Sequence, residues 1–222
     1  MMVALAIGDN SLSSIISQEI LGKIITGELS PGDKLVENDY ADKFGTSRAP
    51  VREAIYLLTT EGLVERIPRR GAVVKEYAYT DIVDLLEIRN TLETMALLRI
   101  NLSTVSEKEI SALQNILIEM NQVTDTYEYA KLNHAFHLRI VEMSGSQSIL
   151  DVYSRLGWQL LRMQFLSFTQ KGNIAKSITE HEGIMSHIIN GKQTELIELM
   201  IKHNSYVVSS VSKLMTLKKV SE

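Results

Sequence analysis

The sequence predicts a small α+β domain followed by an all-α helical bundle, and three observations predict it. Before about residue 76 the segments are short and punctuated by Gly and Pro. After it, apolar residues recur at helical spacing almost to the end of the chain. Just before the change, two short strand-like runs flank an arginine-bearing turn. The change falls at Glu76–Thr80 and divides the 222 residues into a domain over 1–76 and a domain over 77–222.

Within the first domain, Ile16, Ile20 and Ile24 share one face of a helix over Leu12–Thr26, and Gly27 stops it. Ser30-Pro31-Gly32-Asp33 is a turn, followed by a very short strand at Lys34-Leu35-Val36. Glu37–Phe44 reads as a short helix ended by Gly45. Thr46 or Ser47 caps a third helix, with Pro50 tolerated in its first turn. Val51, Ala54, Ile55 and Leu58 line one face of that helix, which ends at Gly62. Leu63–Ile67 and Ala72–Lys75 are strands, and Pro68-Arg69-Arg70-Gly71 joins them as a hairpin with a basic tip. Helix, helix, tight turn, helix and basic hairpin is the order of a winged helix-turn-helix.

Composition removes whole classes of function. Hydrophobic residues make up 45% and charged residues 23%, which excludes a disordered chain. No apolar run long enough to span a membrane is free of charge. Met1–Asn10 has no basic region ahead of its apolar stretch, so no signal peptide is expected. Cysteine is absent, which rules out disulfides and thiolate metal ligands. Cytoplasm, in association with the nucleoid, is the expected location.

A net charge of −4 argues against nucleic-acid binding until its distribution is read. Lys43, Arg48, Arg52, Arg66, Arg69, Arg70 and Lys75 face only Glu53, Glu61 and Glu65 in the same stretch. Such a stripe is an electrostatic footprint even on an acidic protein. Arg48 and Arg52 lie about 40° apart on the third helix, clear of its apolar stripe, so both can enter one groove. Arg69 and Arg70 can reach phosphates from the hairpin tip. The competing reading is a small α+β domain with surface arginines.

Four runs then carry a resemblance. They are Leu29-Ser30-Pro31-Gly32-Asp33-Lys34-Leu35, Ser47-Arg48-Ala49-Pro50-Val51-Arg52-Glu53-Ala54-Ile55, Leu57-Leu58-Thr59-Thr60-Glu61-Gly62-Leu63-Val64 and Arg70-Gly71-Ala72-Val73-Val74. In this order, across Ile15–Lys75, they closely resemble the GntR family of bacterial transcription regulators. The resemblance implies a homodimer on double-stranded operator DNA, with Arg48 and Arg52 on the recognition helix and Gly71 at the wing tip. Asn38 stands where family members often carry a basic residue; it can still bond a phosphate or a base. The expected DNA-binding set is Asn38, Ser47, Arg48, Arg52, Arg69, Arg70 and Gly71.

From Thr80 onward six or seven helices are expected, roughly Thr80–Leu102, Ser106–Gln122, Thr126–Met143, Gln147–Gln170, Ile174–Asn190 and Thr194–Leu217. Of five histidines, His137, His181 and His203 each fall on the apolar stripe of a different helix. Asn133 sits one turn before His137. His134 and His187 fall off the stripes and are expected at the surface. A lone histidine on an apolar stripe is ordinarily core. Three on separate helices, with an amide beside the first, suit Zn²⁺, Ni²⁺, Mn²⁺ or Fe²⁺.

Leu132-Asn133-His134-Ala135-Phe136-His137, Glu180-His181 and the 22-residue step to His203 resemble the FCD effector domain of FadR-type GntR regulators. The resemblance implies a metal held by Asn133, His137, His181 and His203, with Asn133 where aspartate is commoner. Arg89 sits on the stripe Ile82, Leu85, Leu92, Ala96, where an apolar residue is expected. A buried guanidinium needs a partner. That partner is either Glu93, one turn on, or a carboxylate effector bound near the metal; Arg162 is a weaker candidate of the same kind. Together these features give a ligand-responsive regulator, repressor before activator, switched by a small organic or sugar acid. The alternatives are a sensor of the metal alone and a three-histidine metalloenzyme. Against the enzyme, the one carboxylate adjacent in sequence is Glu180, and neighbouring residues on a helix point 100° apart.

Overall fold

The computed structural model describes residues 11–220, with side chains as far as Lys213. Met1–Asn10, read above for a signal peptide, lie outside the described residues. Two units are distinct, residues 1–78 and 79–222.

In the first unit, α1 (Leu12–Thr26) begins at Ser11, whose hydroxyl accepts the Ser14 N–H at 3.3 Å. It ends at Gly27, in the left-handed region at φ 84°. α2 (Glu37–Phe44) and α3 (Arg48–Thr60) follow. Ser47 occupies the α3 N-cap position in extended conformation, without a side-chain cap bond. Ile16, Ile20 and Ile24 of α1 and Val51, Ala54, Ile55 and Leu58 of α3 are all fully buried, so α1 and α3 bury their predicted faces against each other. At about 25 cal/mol per Å² of apolar area, this seam is the main stabilising contact of the unit. The strands β1 (Lys34–Leu35), β2 (Val64–Ile67) and β3 (Gly71–Val74) form one antiparallel sheet in the order β1-β3-β2. Val64 pairs with Val74, Ile67 with Gly71, and Leu35 with Ala72. The hairpin turn needs positive φ at Arg69 (66°) and Gly71 (87°); the glycine adopts it at no steric cost, the arginine does not.

The second unit comprises α4 (Tyr79–Leu97), α5 (Glu107–Gln122), α6 (Thr126–Met143), α7 (Gln147–Arg155), α8 (Gly157–Phe168), α9 (Asn173–Ile189) and α10 (Gln193–Val220). α6 packs against α4, α5, α7 and α8. Surrounded in this way, it buries residues around much of its circumference, polar ones included. α10 lies against α4, α8 and α9. Gly183 of α9 permits a close approach of α10: a Cβ there would stand 2.9 Å from Leu199 Cδ2.

Two expectations are corrected. The helix read as Gln147–Gln170 is two helices that meet at Leu156, where the Leu156 N–H turns back to Tyr153 O at 3.1 Å and Gly157 opens the next helix. Uninterrupted apolar spacing cannot report such a break, and only the low helix propensity of Gly157 hinted at it. The helix read as Thr80–Leu102 stops at Leu97. There Arg99 and Ile100 switch to bonds three residues back, and Asn101 caps a 3₁₀ turn over Leu102–Thr104.

Candidate metal centre and nucleic-acid interface

α3 presents Arg48 and Arg52 to solvent together, as their spacing requires. One oxygen of Glu37, at the start of α2, accepts from both: Arg52 Nε at 2.7 Å, and Arg48 Nη2 at 3.1 Å and Nε at 3.3 Å. Partial burial would raise the Glu37 carboxyl, but the two guanidinium groups outweigh it and hold the pKa below the usual value. The carboxylate thus aligns two arginines that would otherwise repel and splay. Asn38 and Ser47 are exposed near the same helix starts. Arg69, Arg70 and Gly71 occupy the exposed wing turn. Lys34 and Arg66 join them around a 580 Å³ recess; Arg66 belongs to the basic stripe read in the sequence, whereas Lys34 lies outside it and was missed. Lys34 reaches the wing only because β1 pairs with β3, a long-range pairing that no local pattern announces.

In the helical unit, α6, α9 and α10 bring His137, His181 and His203 together, all three buried. The Nε2 atoms of His137 and His203 are 3.2 Å apart, as are those of His181 and His137. All three candidate ligand atoms lie within 4.8 Å of one another.

Each Nδ1 points outward to an acceptor. His137 Nδ1 faces Glu93 Oε2 at 3.2 Å, His181 Nδ1 donates to Ser177 O at 2.6 Å, and His203 Nδ1 donates to Glu180 Oε2 at 2.7 Å. A carbonyl or carboxylate oxygen can only accept, so the protons sit on Nδ1 and the Nε2 lone pairs converge. Burial, only partly opposed by Glu93, pushes the His137 pKa down to about 4. Burial and its two neighbouring imidazoles push His181 well below the ordinary value. Neutral imidazoles with lone pairs about 3 Å apart repel unless a cation lies between them. Two nitrogens about 2.05 Å from a tetrahedral ion stand about 3.3 Å apart, close to the separations found. The residues therefore fit a divalent metal, and Glu93, Ser177 O and Glu180, each against an outward Nδ1, hold the rings with Nε2 turned inward.

Asn133, one turn before His137, is buried, and its Oδ1 has no hydrogen-bond partner among the described residues. A buried acceptor beside the triad suits a fourth ligand or a bound polar group. Glu180 is engaged with His203 and supports a ligand rather than serving as a base.

Arg89 is buried on α4 and pairs with Glu93, Nε to Oε1 at 2.8 Å, so the internal partner is present. Its two terminal nitrogens remain without a hydrogen-bond partner among the described residues. The buried stripe of α4 is Ile82, Leu86, Arg89, Glu93, Ala96 and Leu97, one residue offset from the predicted Leu85 and Leu92. Glu93 is the hub that sequence reasoning treated only as a local partner. It also accepts from Tyr153 Oη at 2.7 Å and Asn204 Nδ2 at 2.7 Å. Burial would raise its carboxyl, but Arg89 and His137 hold it well below the usual range. Arg162, on α8, is buried as well.

The surface placement expected for His134 is wrong. It is 2% exposed and stacked on Tyr153, ring centroids 5.9 Å apart. Burial and the nearby Arg89 charge push its pKa down to about 3. α6 is covered on more sides than one apolar stripe implies, which is why stripe logic failed here. His187 is half-buried.

Two domains of this kind, in this order, define a DNA-binding module joined to a helical sensor, and the comparisons give the family. The model of bacterial regulatory proteins of the gntR family matches residues 12–74, and that of the FCD domain matches residues 84–205. The chain belongs to the GntR family of transcription regulators, in the branch that carries an FCD domain; it is a regulator and not an enzyme. It is similar to the gluconate operon transcriptional repressor of Bacillus licheniformis, 28% identical over 84% of this chain and 78% of that one. It is similar to the Nta operon transcriptional regulator of Aminobacter aminovorans, 27% identical over 78% of this chain and 81% of that one. Among solved structures, a GntR regulator from a Rhodococcus species covers 90% of this chain and 97% of its own at TM-score 0.75 and 19% identity. Escherichia coli McbR/YncC covers 93% and 100% at TM-score 0.74 and 17% identity. Among the described residues, no helix is long and apolar enough to cross a membrane.

Proposed function

We propose that the protein is a cytoplasmic repressor that binds palindromic operator DNA as a homodimer and is switched by a small organic or sugar acid held beside a divalent metal. The observation that carries the sensor reading is the commitment of all three Nδ1 atoms outward, which leaves three Nε2 lone pairs converging on one point. His137, His181 and His203 would hold the ion, with Asn133 Oδ1 beside them. The metal, once bound, supplies Lewis acidity and a docking point for an oxygen ligand. Arg89 lies one residue away through Glu93, and its two partnerless terminal nitrogens suit the two oxygens of a carboxylate. The name of the gluconate operon relative favours acids of the sugar class.

On the DNA side, Arg48 and Arg52 would read base edges or phosphates, and Asn38 and Ser47 would contact the backbone. Arg69, Arg70 and Gly71 would follow the wing. Exposed Ile88 and Met95 of α4 and Leu98 just past its end, spaced seven and three residues apart, support association of two copies along that helix.

A second reading, in which the metal alone is the effector, draws on Asn133: a neutral amide binds a cation more weakly than a carboxylate and favours exchange. The test is operator affinity, on a site selected from genomic DNA, for protein stripped with chelator and reloaded with Zn²⁺, Ni²⁺, Mn²⁺ or Fe²⁺. Release by gluconate or a simpler acid only after reloading is the expected result. Release by metal without acid gives the second reading. Equal response of stripped and reloaded protein would refute both.

A further inference from the structure

We infer that Lys34, carried by β1, completes a phosphate-binding recess at the wing, and that this recess, rather than the recognition helix, carries most of the salt-dependent part of DNA affinity. This rests on the operator-binding reading of the first unit and divides the work among its positive charges.

The basic side chains of that unit fall into two groups. Those near the helices are partly neutralised: Glu19 pairs with Lys23 and Lys43, and Glu37 with Arg48 and Arg52. Arg48 and Arg52 therefore approach DNA with a negative charge held between them. The cations of the sheet have no such partner. Lys34, Arg66, Arg69 and Arg70 are all exposed and line one recess of 580 Å³, and none of them forms an ion pair among the described residues. Asp33, beside Lys34 in the chain, turns its carboxylate back to accept the Ser30 N–H at 2.8 Å. Glu65 lies across β3 from Lys34, in the row Lys34–Val73–Glu65, and does not line the recess.

Lys34 reaches the wing because of a glycine. It pairs with Val73, and Gly71 is the next residue of β3 on the same face. A Cβ on Gly71 would stand 3.7 Å from Lys34 Cε, so the lysine stem runs over the bare glycine toward the turn. Arg69 marks the same place. Its φ of 66° is positive, alone among the described non-glycine residues. Such backbone is strained for a side chain and persists where the residue is needed. Glycine or asparagine would suit that turn better, but neither adds a charge to the recess.

The four basic side chains can only donate hydrogen bonds. The matching acceptors are the oxygens of backbone phosphates, which position a protein without reporting sequence. Each cation set on a phosphate releases a counterion and adds about 0.9 to the slope of log K against log salt. Four uncompensated charges at the wing outweigh the two on α3 that share Glu37, so the larger part of the slope belongs to the wing.

The test is fluorescence anisotropy of full-length protein on a selected operator and on a random duplex of equal length, from about 50 to 200 mM KCl. Lys34→Met keeps the stem and removes the charge. It should lower the slope by about 0.9 for each subunit bound and weaken both duplexes alike, roughly eightfold per subunit at about 100 mM salt. The operator-to-random ratio should stay within about twofold. Lys34→Arg should keep the slope of the wild type, a result that loss of strand packing would not give. Lys34→Met with Arg66→Met should remove about twice the slope lost when Arg48→Met, Arg52→Met and Glu37→Gln together remove the helix set whole; only the helix set should collapse the operator ratio. An unchanged slope in Lys34→Met overturns the role of Lys34. A larger loss of slope from the helix set overturns the division of work. A slope indifferent to Lys34, together with calorimetric binding of inorganic phosphate that requires it, gives the recess to a free anion and overturns the inference. Wild-type protein that prefers no sequence at any salt refutes the operator reading instead, while the slopes on random DNA still decide the role of the recess.

Discussion

Replacing Glu93 by Gln changes one atom and should cost the helical unit much of its stability. The carboxylate is fully buried and receives Arg89 at 2.8 Å and Tyr153 at 2.7 Å on one oxygen. It receives Asn204 at 2.7 Å and His137 at 3.2 Å on the other. An amide nitrogen in place of either oxygen strands two donors and leaves the Arg89 cation buried without a counter-charge. Stranded donors cost about 1–3 kcal/mol each, and an uncompensated buried ion about 3–5 kcal/mol in all, with the two figures overlapping. We take about 4 kcal/mol, which for a helical unit of this size lowers Tm by roughly 10 °C or more. The measurement is far-UV circular dichroism of chelator-treated protein, so that metal binding does not mask the loss. The companion variant is Arg89→Met, alone and combined with Glu93→Gln. Removing both charges leaves no unpaired ion, so the double variant should be at least about 2 kcal/mol more stable than additivity predicts. A cost below about 1 kcal/mol for Glu93→Gln, or strict additivity, would refute the assignment of Glu93 as the electrostatic anchor of this core.

Three further outcomes follow from particular contacts. Glu180→Gln should lower metal affinity by about 10–100-fold with little change in chelated-state Tm, because the charge behind His203 is lost while the side-chain volume is kept; competition against a chromophoric chelator reads this, and unchanged affinity would remove Glu180 from the site. Glu37→Gln removes the charge that gathers Arg48 and Arg52. It should strengthen binding to random DNA while narrowing the margin between operator and random sequence, measured by fluorescence anisotropy across a salt series; an unchanged margin would show that the arginines need no such alignment. Leu98→Glu combined with Met95→Glu puts charge on the exposed apolar patch at the C-terminal end of α4 and just past it, and should yield monomers in sedimentation velocity, whereas a dimer that persists would place the subunit contact elsewhere.

The parts of the fold that are legible in the sequence are those set by local signals. Gly27 and Gly45 terminate helices in the left-handed conformation that favours glycine. The α1 and α3 faces emerge where their isoleucine, valine and leucine spacing puts them. What local patterns missed lies where tertiary packing decides. Leu156 breaks a run whose periodicity is uninterrupted, and the buried stripe of α4 is rotated by one residue because Glu93, not Leu92, turns inward to meet three partners from other helices. No hydrophobic scale would place a glutamate there; only the donors waiting around it do.

The site divides along the same line. His137, His181 and His203 could be named because each lies on an apolar stripe, where a polar residue stands out against its neighbours. His134 could not, since α6 is buried beyond the single stripe that amphipathic logic allows for. The tautomers that make the triad a ligand set are equally invisible in sequence. They are fixed by Glu93 on α4, Ser177 one turn before His181, and Glu180 facing His203. Of these, only Ser177 acts from a position a helical-spacing argument would reach. The chemistry of the centre thus depends less on the histidines themselves than on acceptors from other turns and helices. Removing such an acceptor should change which nitrogen carries the proton before it changes where the ring sits.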